Sequence, residues 1–164
     1  EEYLELIDNI RKILPNCAIS QDLITGFPTE TEEDHHDTLS LMQYVKYDYG
    51  YMFAYSERPG TLAARKIQDD VPDNIKKRRL AEIVALQRKH CAFRTEAFVG
   101  NIFEVLIEKE SKKSDQHWAG RTSQNTMAVF PKGNYKVGEF VMVKITDCTS
   151  ATLIGEGVGY SDNN

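Results

Sequence analysis

The sequence predicts an α/β layer of parallel strands with crossover helices, followed by a small all-β barrel of the OB type. Three observations support this prediction. Helix-length and strand-length patterns alternate over residues 1–71, one long helical pattern fills residues 72–98, and short strand patterns fill residues 99–160. Residues 161–164 continue no pattern, and we expect them to form a frayed end.

The first segment alternates helices with strands. Apolar residues at three- and four-residue spacing predict a helix that ends at Pro15, and residues 17–20 and 22–25 predict a strand. A turn leads into a second helix, where Thr29 and Glu32 have capping-box spacing. A second strand is predicted at residues 51–55. Helix-length crossovers imply parallel strands. Two such strands make an incomplete sheet, so we expect the chain to be part of a longer protein.

Basic charge is concentrated in the long helix predicted over residues 72–98. This helix carries 7 Lys and Arg against 3 Asp and Glu, whereas residues 1–71 carry 6 against 14. Lys76, Lys77, Arg78 and Arg79 lie together in its second turn. Two interpretations stay open: a solvated helix face, or a patch that faces an anionic partner.

The last segment predicts five short strands separated by turn sequences, a number and length typical of a small closed barrel. Its cations can contact phosphates, and Trp118 can either stack on an unpaired base or pack in the barrel core. The predicted strands cover residues 102–108, 118–122, 127–130, 140–145 and 151–157.

Few features point to catalysis by side chains of this chain. Cys17, Cys91 and Cys148 lie far apart, which is typical neither of a disulfide framework nor of a metal motif. There is no phosphate-binding loop or dinucleotide fingerprint. We therefore predict no catalytic residue and no metal ligand here. The scattered cysteines are typical of a reduced chain, so we expect a cytoplasmic protein. No apolar run approaches the ~20 residues of a membrane helix, so we expect no membrane partner.

Two turns that follow the predicted strands are candidate ligand sites. Residues 26–28 and 59–61 each contain glycine and proline, and ligands collect at the carboxyl edge of parallel strands. Glycine lets the backbone approach a ligand closely. The alternative is that both turns are ordinary connectors.

Several stretches, taken in order, resemble the radical S-adenosylmethionine methylthiotransferases, and the last segment resembles the TRAM domain that ends those enzymes. The similarity covers nearly the whole chain and is greater to the tRNA-modifying branch than to the branch that acts on a ribosomal protein. The stretches that carry it are residues 22–32, 55–61, 108–114, 120–122 with Asn125, 145–147 and 150–156.

The resemblance implies a reaction and its cofactors. Such enzymes add a methylthio group to an adenosine beside the anticodon, so the implied partner is the anticodon stem-loop of a tRNA. They use S-adenosylmethionine and two 4Fe-4S clusters, whose cysteine motifs are not found in this sequence. We expect no cofactor bound to this chain alone and no activity from it. The alternatives are a stand-alone RNA-binding module on an α/β scaffold, or the related methylthiotransferase of the ribosomal-protein branch.

The resemblance also suggests site residues. It makes residues 1–71 the late part of an α/β barrel, so the fold class is an α/β partial barrel followed by the OB-like barrel. Because a partial barrel leaves strand edges exposed, we expect self-association through them. The suggested contacts to S-adenosylmethionine are Leu23, Ile24, Gly26, Phe27, Tyr55 and Arg58, and the suggested RNA contacts are Lys112, Lys113, Trp118 and Arg121.

Overall fold

The computed structural model describes residues 1–162 and divides the chain into two compact units. The first unit contains residues 1–9 and 19–90, and the second contains residues 10–18 and the chain from Cys91 onward. The predicted frayed end is wrong for Ser161, whose backbone N–H donates to the Phe140 carbonyl at 3.0 Å and whose side chain bonds Glu104. Residues 163–164 of that prediction lie outside the described residues.

The first unit is a two-stranded parallel sheet packed against helices. Strands β1 and β2 pair in register from Ser20 opposite Tyr49 to Thr25 opposite Ala54, which confirms parallel strands with crossover helices. The buried core beneath the sheet contains Ile7, Met42, Val45, Tyr47 and Ile83. The elements, in chain order, are α1 (Glu2–Ile13), β1 (Ser20–Thr25), α2 (Glu32–Val45), β2 (Tyr49–Ala54), α3 (Leu62–Lys66) and α4 (Asp73–Glu96).

Helix α2 begins differently from the sequence prediction. Its N-cap is Thr31, whose side chain accepts from the Asp34 backbone N–H while Asp34 bonds back, so the capping box is one of Thr31 and Asp34. The predicted box of Thr29 and Glu32 is wrong because Thr29 has a φ of 75°, whereas an N-cap needs an extended backbone such as the φ of −82° at Thr31.

Other elements of the first unit also differ from the prediction. Residues 17–19 lie outside β1, because the chain is still turning after α1, where the Cys17 N–H donates to the Leu14 carbonyl. Strand β2 starts two residues before the predicted position. Helix α3 is not predicted from the sequence. It has five residues, and Thr61 caps its amino end.

The second unit contains a closed five-stranded barrel in the order β3-β4-β5-β7-β6. Neighbouring strands are antiparallel except β5 and β7, which are parallel. All five predicted strands are present, and the interior contains Val105, Ile107, Phe130, Val143 and Leu153. The strands are β3 (Ile102–Ser111), β4 (Ser114–Thr122), β5 (Met127–Pro131), β6 (Phe140–Cys148) and β7 (Thr152–Tyr160).

Gly120 permits the close approach of β3 and β4. A Cβ atom at this position would lie 2.2 Å from the backbone oxygen of Leu106, so any larger residue would collide with the neighbouring strand.

Among residues 1–162, no helix is long and apolar enough to cross a membrane.

Candidate nucleic-acid interface and the turns at the strand ends

An open cleft of about 560 Å³ lies on the outer surface of the barrel. It is bounded by the β3–β4 hairpin, the outer face of β4 and β5, and the β6–β7 connection. These three parts are the ones with which OB-type barrels bind oligonucleotides. The lining residues are Lys109, Ser111, Lys112, Lys113, Ser114, His117, Ala119, Met127, Val129, Thr149, Thr152 and Ile154.

The cleft combines a cationic rim with an apolar floor. Lys112 and Lys113 form the exposed tip of the hairpin, and within the described residues neither takes part in an ion pair. His117 stands beside them, with Nδ1 2.8 Å from the Ser114 hydroxyl. Hydroxyl groups and unpaired ammonium groups can bind phosphates, and an apolar floor can accept the face of a base.

Arg121 lies on the same outer face of β4 as Ala119, because side chains alternate along a strand. Its guanidinium is already engaged. Nη1 donates to the backbone and side-chain oxygens of Asn125 at 2.9 Å, and Nε lies 3.5 Å from Glu108 Oε1.

Trp118 lies on the opposite face of β4 from the cleft. Its ring packs against the barrel core, its Nε1 donates to the Tyr135 carbonyl at 3.0 Å, and the Lys132 ammonium lies 4.5 Å from the ring centroid. The structure therefore brings Lys112 and Lys113 to the cleft, and it places Trp118 where the core and Lys132 cover the ring.

The apolar floor is the part of the cleft that the sequence analysis missed. Met127 and Val129 face outward from β5, whereas Ala128 and Phe130 face the core. The sequence did contain a signal for this floor, because residues 127–130 are four consecutive apolar residues in one strand. Such a strand has two apolar faces, although only one of them can face the interior of a small barrel.

The turn after β1 is organised by the carboxylate of Glu30. This group accepts hydrogen bonds from the backbone N–H groups of Gly26 and Phe27 at 2.7 and 3.3 Å, and from the Thr25 hydroxyl at 3.1 Å. Arg79, from helix α4, donates to the same carboxylate at 2.9 Å and is only 4% exposed. The carboxylate therefore closes the turn and pairs with a buried cation.

Lys76 lies one turn of α4 before Arg79 and is also 4% exposed. It pairs with Asp69, and its ammonium lies 5.3 Å from the centroid of the Tyr55 ring. Its aliphatic stem packs on Gly26, where a Cβ atom would come within 2.4 Å of Lys76 Cγ. Gly26 therefore allows α4 to approach the turn after β1.

The basic cluster of α4 is consequently divided: Lys77 and Arg78 are exposed, whereas Lys76 and Arg79 are not. Lys76 and Arg79 are buried and paired with acidic residues of the same unit. Arg78 bonds Glu32 at 2.7 Å and Glu82 at 2.9 Å. The Arg78 guanidinium and, to a lesser extent, that of Arg79 hold the pKa of Glu32 down at about 2. The acidic excess of residues 1–71 thus meets part of the basic excess of α4 inside the protein.

His35 extends the ion-pair network of Arg78 into the core. The side chain of His35 is fully buried, and its Nε2 lies 2.7 Å from Glu82. Its hydrogen bond, followed by that from Arg78, lowers the pKa of the Glu82 carboxyl.

The predicted contacts to S-adenosylmethionine divide between two faces of the sheet. Leu23 packs against the buried core, whereas Ile24 is 58% exposed on the opposite face beside Phe53. Phe27 meets Tyr55 edge to face, with ring centroids 5.1 Å apart. Arg58 lies in the exposed turn after β2. The structure brings Phe27 and Tyr55 together at the carboxyl ends of the strands.

Residues 1–162 do not fit an iron–sulfur cluster. Within this range no group of three or more His, Cys, Asp or Glu residues could hold a metal ion.

Comparison with known proteins identifies a domain family and several similar proteins. Residues 96–158 match the TRAM domain family. All 164 residues are similar to proteins described as tRNA-2-methylthio-N(6)-dimethylallyladenosine synthase, with 69% identity in Christiangramia forsetii and 65% in Flavobacterium psychrophilum. The same protein of Chloroherpeton thalassium is 55% identical over 96% of the chain. The chain spans 34% of the length of the first two relatives and 35% of the third. These matches confirm the predicted resemblance to the methylthiotransferases and to their TRAM domain.

Proposed function

We propose that this chain forms part of a tRNA methylthiotransferase, an enzyme that adds a methylthio group to an adenosine beside the anticodon. The observation that carries the proposal is 69% identity to such a synthase over every residue of the chain. S-adenosylmethionine and iron–sulfur clusters are the cofactors of the whole enzyme in this proposal, and the clusters are held by residues outside this chain. The site of action is the cytoplasm, where tRNA is modified.

The cleft of the barrel is the proposed tRNA-binding surface. Lys112 and Lys113 neutralise backbone phosphates, and the apolar floor at Met127 and Val129 receives the face of an unpaired base of the anticodon stem-loop. Arg121 contributes less to binding, because its guanidinium would first have to leave Glu108 and Asn125. Trp118 supports the barrel behind the cleft.

Residues 1–71 are the proposed late part of the S-adenosylmethionine barrel. Phe27, Tyr55 and Ile24 supply apolar contact to the adenosine moiety, and the backbone at Gly26 faces it. Arg58 reaches the carboxylate of the methionine moiety. Leu23 acts from the core side by holding β1 in place. These residues bind and orient the cofactor, and they exclude water from one side of it.

Self-association is a further part of the proposal. The outer face of the β1–β2 sheet carries Ile24, Tyr51 and Phe53, which are 58%, 63% and 57% exposed. In the whole enzyme this face is turned toward the ligand. When the chain is isolated, the same face and the strand edges are available to a second copy.

A chimeric enzyme tests the proposed function. The matched segment of the Christiangramia forsetii synthase is replaced by this chain and expressed in cells that lack the native enzyme, and methylthiolated adenosine in tRNA is measured by mass spectrometry. We expect methylthiolated tRNA at a level near that of the unmodified synthase. A folded chimera with full iron content but no methylthiolated tRNA would overturn the proposal.

A further inference from the structure

We infer that Lys76 and Arg79 are positioning residues for S-adenosylmethionine: they fix the turn at residues 26–30 in its ligand-receiving conformation. This inference rests on the proposed function, and it adds a role for helix α4, to which the sequence resemblance assigns no site residue. It is carried by three sets of contacts that meet at the same turn.

The first contact joins α4 to the backbone of the turn through Glu30. Arg79 Nη1 donates to both the backbone oxygen and the carboxylate of Glu30, at 3.0 and 2.9 Å. The same carboxylate holds the N–H groups of Gly26 and Phe27. Removing the guanidinium would leave this carboxylate with two backbone donors and one hydroxyl, and without the neighbouring positive charge that keeps it in place.

The second contact links the turn to the end of the other strand. Lys76 packs its aliphatic stem on Gly26 and places its ammonium over the Tyr55 ring, which itself meets Phe27 edge to face. Lys76 therefore touches both strand ends at once. Asp69 holds its ammonium in that position.

The third observation is backbone strain. Gly26 has a φ of 73°, and Thr29, a β-branched residue, has a φ of 75°. Thr29 is retained there by its N–H, which donates to Asp70 Oδ1 at 2.7 Å. A β-branched residue at positive φ is an outlier, and such strain persists only where the surroundings fix it, commonly beside a ligand.

These contacts have the form of a preorganised binding loop. A turn held from three sides loses little freedom when a ligand binds, which strengthens binding without adding a contact. Loosening it should therefore weaken S-adenosylmethionine binding and leave the chemistry of the bound state nearly unchanged. A role in stability alone would lower the unfolding temperature and leave the affinity of the folded enzyme unchanged.

The test uses the chimeric enzyme with Arg79→Lys and Lys76→Met, and with Arg78→Lys as the matched control on the exposed side of the same helix. Calorimetry measures S-adenosylmethionine affinity, gel shift measures tRNA affinity, and hydrogen exchange measures the protection of residues 25–30. Arg79→Lys keeps the charge but cannot donate to both Glu30 oxygens in the fork geometry of arginine. Lys76→Met keeps the apolar stem and removes the ammonium.

We expect each variant to weaken S-adenosylmethionine binding about tenfold, with kcat changed less than about twofold. Hydrogen exchange should accelerate at residues 25–30, while the affinity for tRNA stays unchanged. The Arg78→Lys control should keep the cofactor affinity of the starting chimera. Unchanged cofactor affinity in folded Arg79→Lys and Lys76→Met proteins would overturn the inference. An inactive starting chimera would instead count against the proposed function, so the two failures are distinguishable.

Discussion

The hairpin lysines offer the sharpest test of the RNA surface. Replacing Lys112 and Lys113 together by alanine removes two exposed ammonium groups without disturbing a buried contact. We expect the double variant to bind an anticodon stem-loop more weakly and with less dependence on salt. Both effects follow because each phosphate contact releases a condensed counterion when the complex forms.

The expected change in salt dependence follows from the number of phosphate contacts that are lost. Each single-strand phosphate contact contributes about 0.7 to the slope of log affinity against log salt, so losing two contacts reduces the slope by about 1.4. Between 50 and 200 mM salt, the unmodified protein should therefore lose about sevenfold more affinity than the variant does. Arg121→Ala should change the slope less than either lysine, because Glu108 and Asn125 already hold the guanidinium.

The assay is a fluorescence-anisotropy titration of the stem-loop at four salt concentrations, made with the chimeric enzyme. Lys77→Ala with Lys89→Ala is the matched control, since both lysines are exposed on α4 and the change in net charge is identical. Equal slopes for the hairpin variant and the unmodified protein would refute the assignment. Equal losses for the hairpin and control variants would show that RNA responds to net charge and not to the cleft.

Three further predictions concern stability and assembly. Gly120→Ala should lower the free energy of unfolding by about 1–3 kcal/mol or more in a denaturant titration, because the new methyl group overlaps a strand carbonyl; an unchanged midpoint would contradict the close packing. Glu32 has a lowered pKa of about 2, so its ion pair with Arg78 stabilises the fold above pH 4.5 and this contribution is lost as pH falls toward 2. Glu32→Gln should flatten that part of the stability profile, and an identical profile would argue against the pairing. Ile24→Ser with Phe53→Ser should reduce self-association of the isolated chain in sedimentation velocity, whereas equal association would assign the contact to another surface.

The barrel strands were predictable because the relevant signal is local. Phe103, Val105 and Ile107 recur at every second position, and turn residues separate the strands. The start of α2 was not predictable in the same way. Thr29 and Thr31 both have a suitable acid three residues later, and only the backbone of the folded turn decides which of them can cap the helix.

The fate of the basic cluster depends on contacts that are distant in sequence. Arg79 meets Glu30 across 49 residues, and no spacing rule within a helix indicates that pair. Local patterning could therefore locate the charge of α4 but could not show that much of it is neutralised inside the same unit. The cleft was missed in part for a related reason, since its floor is formed by Val129 and Ile154 from strands that pair only after the barrel closes.

The pairing of α4 with the strand-end turn also determines where the chain can tolerate a change in length. Inserting one residue between Asp73 and Lys76 would rotate the following side chains by about 100° around the helix axis. A single insertion would therefore separate both Lys76 and Arg79 from their acidic partners, although none of the paired residues is substituted. The hairpin tip at Lys112 and Lys113 is exposed and makes no buried contact, so added residues there would lengthen only a loop. Natural variation in length among related chains should therefore occur at the tip and be excluded from the first turns of α4.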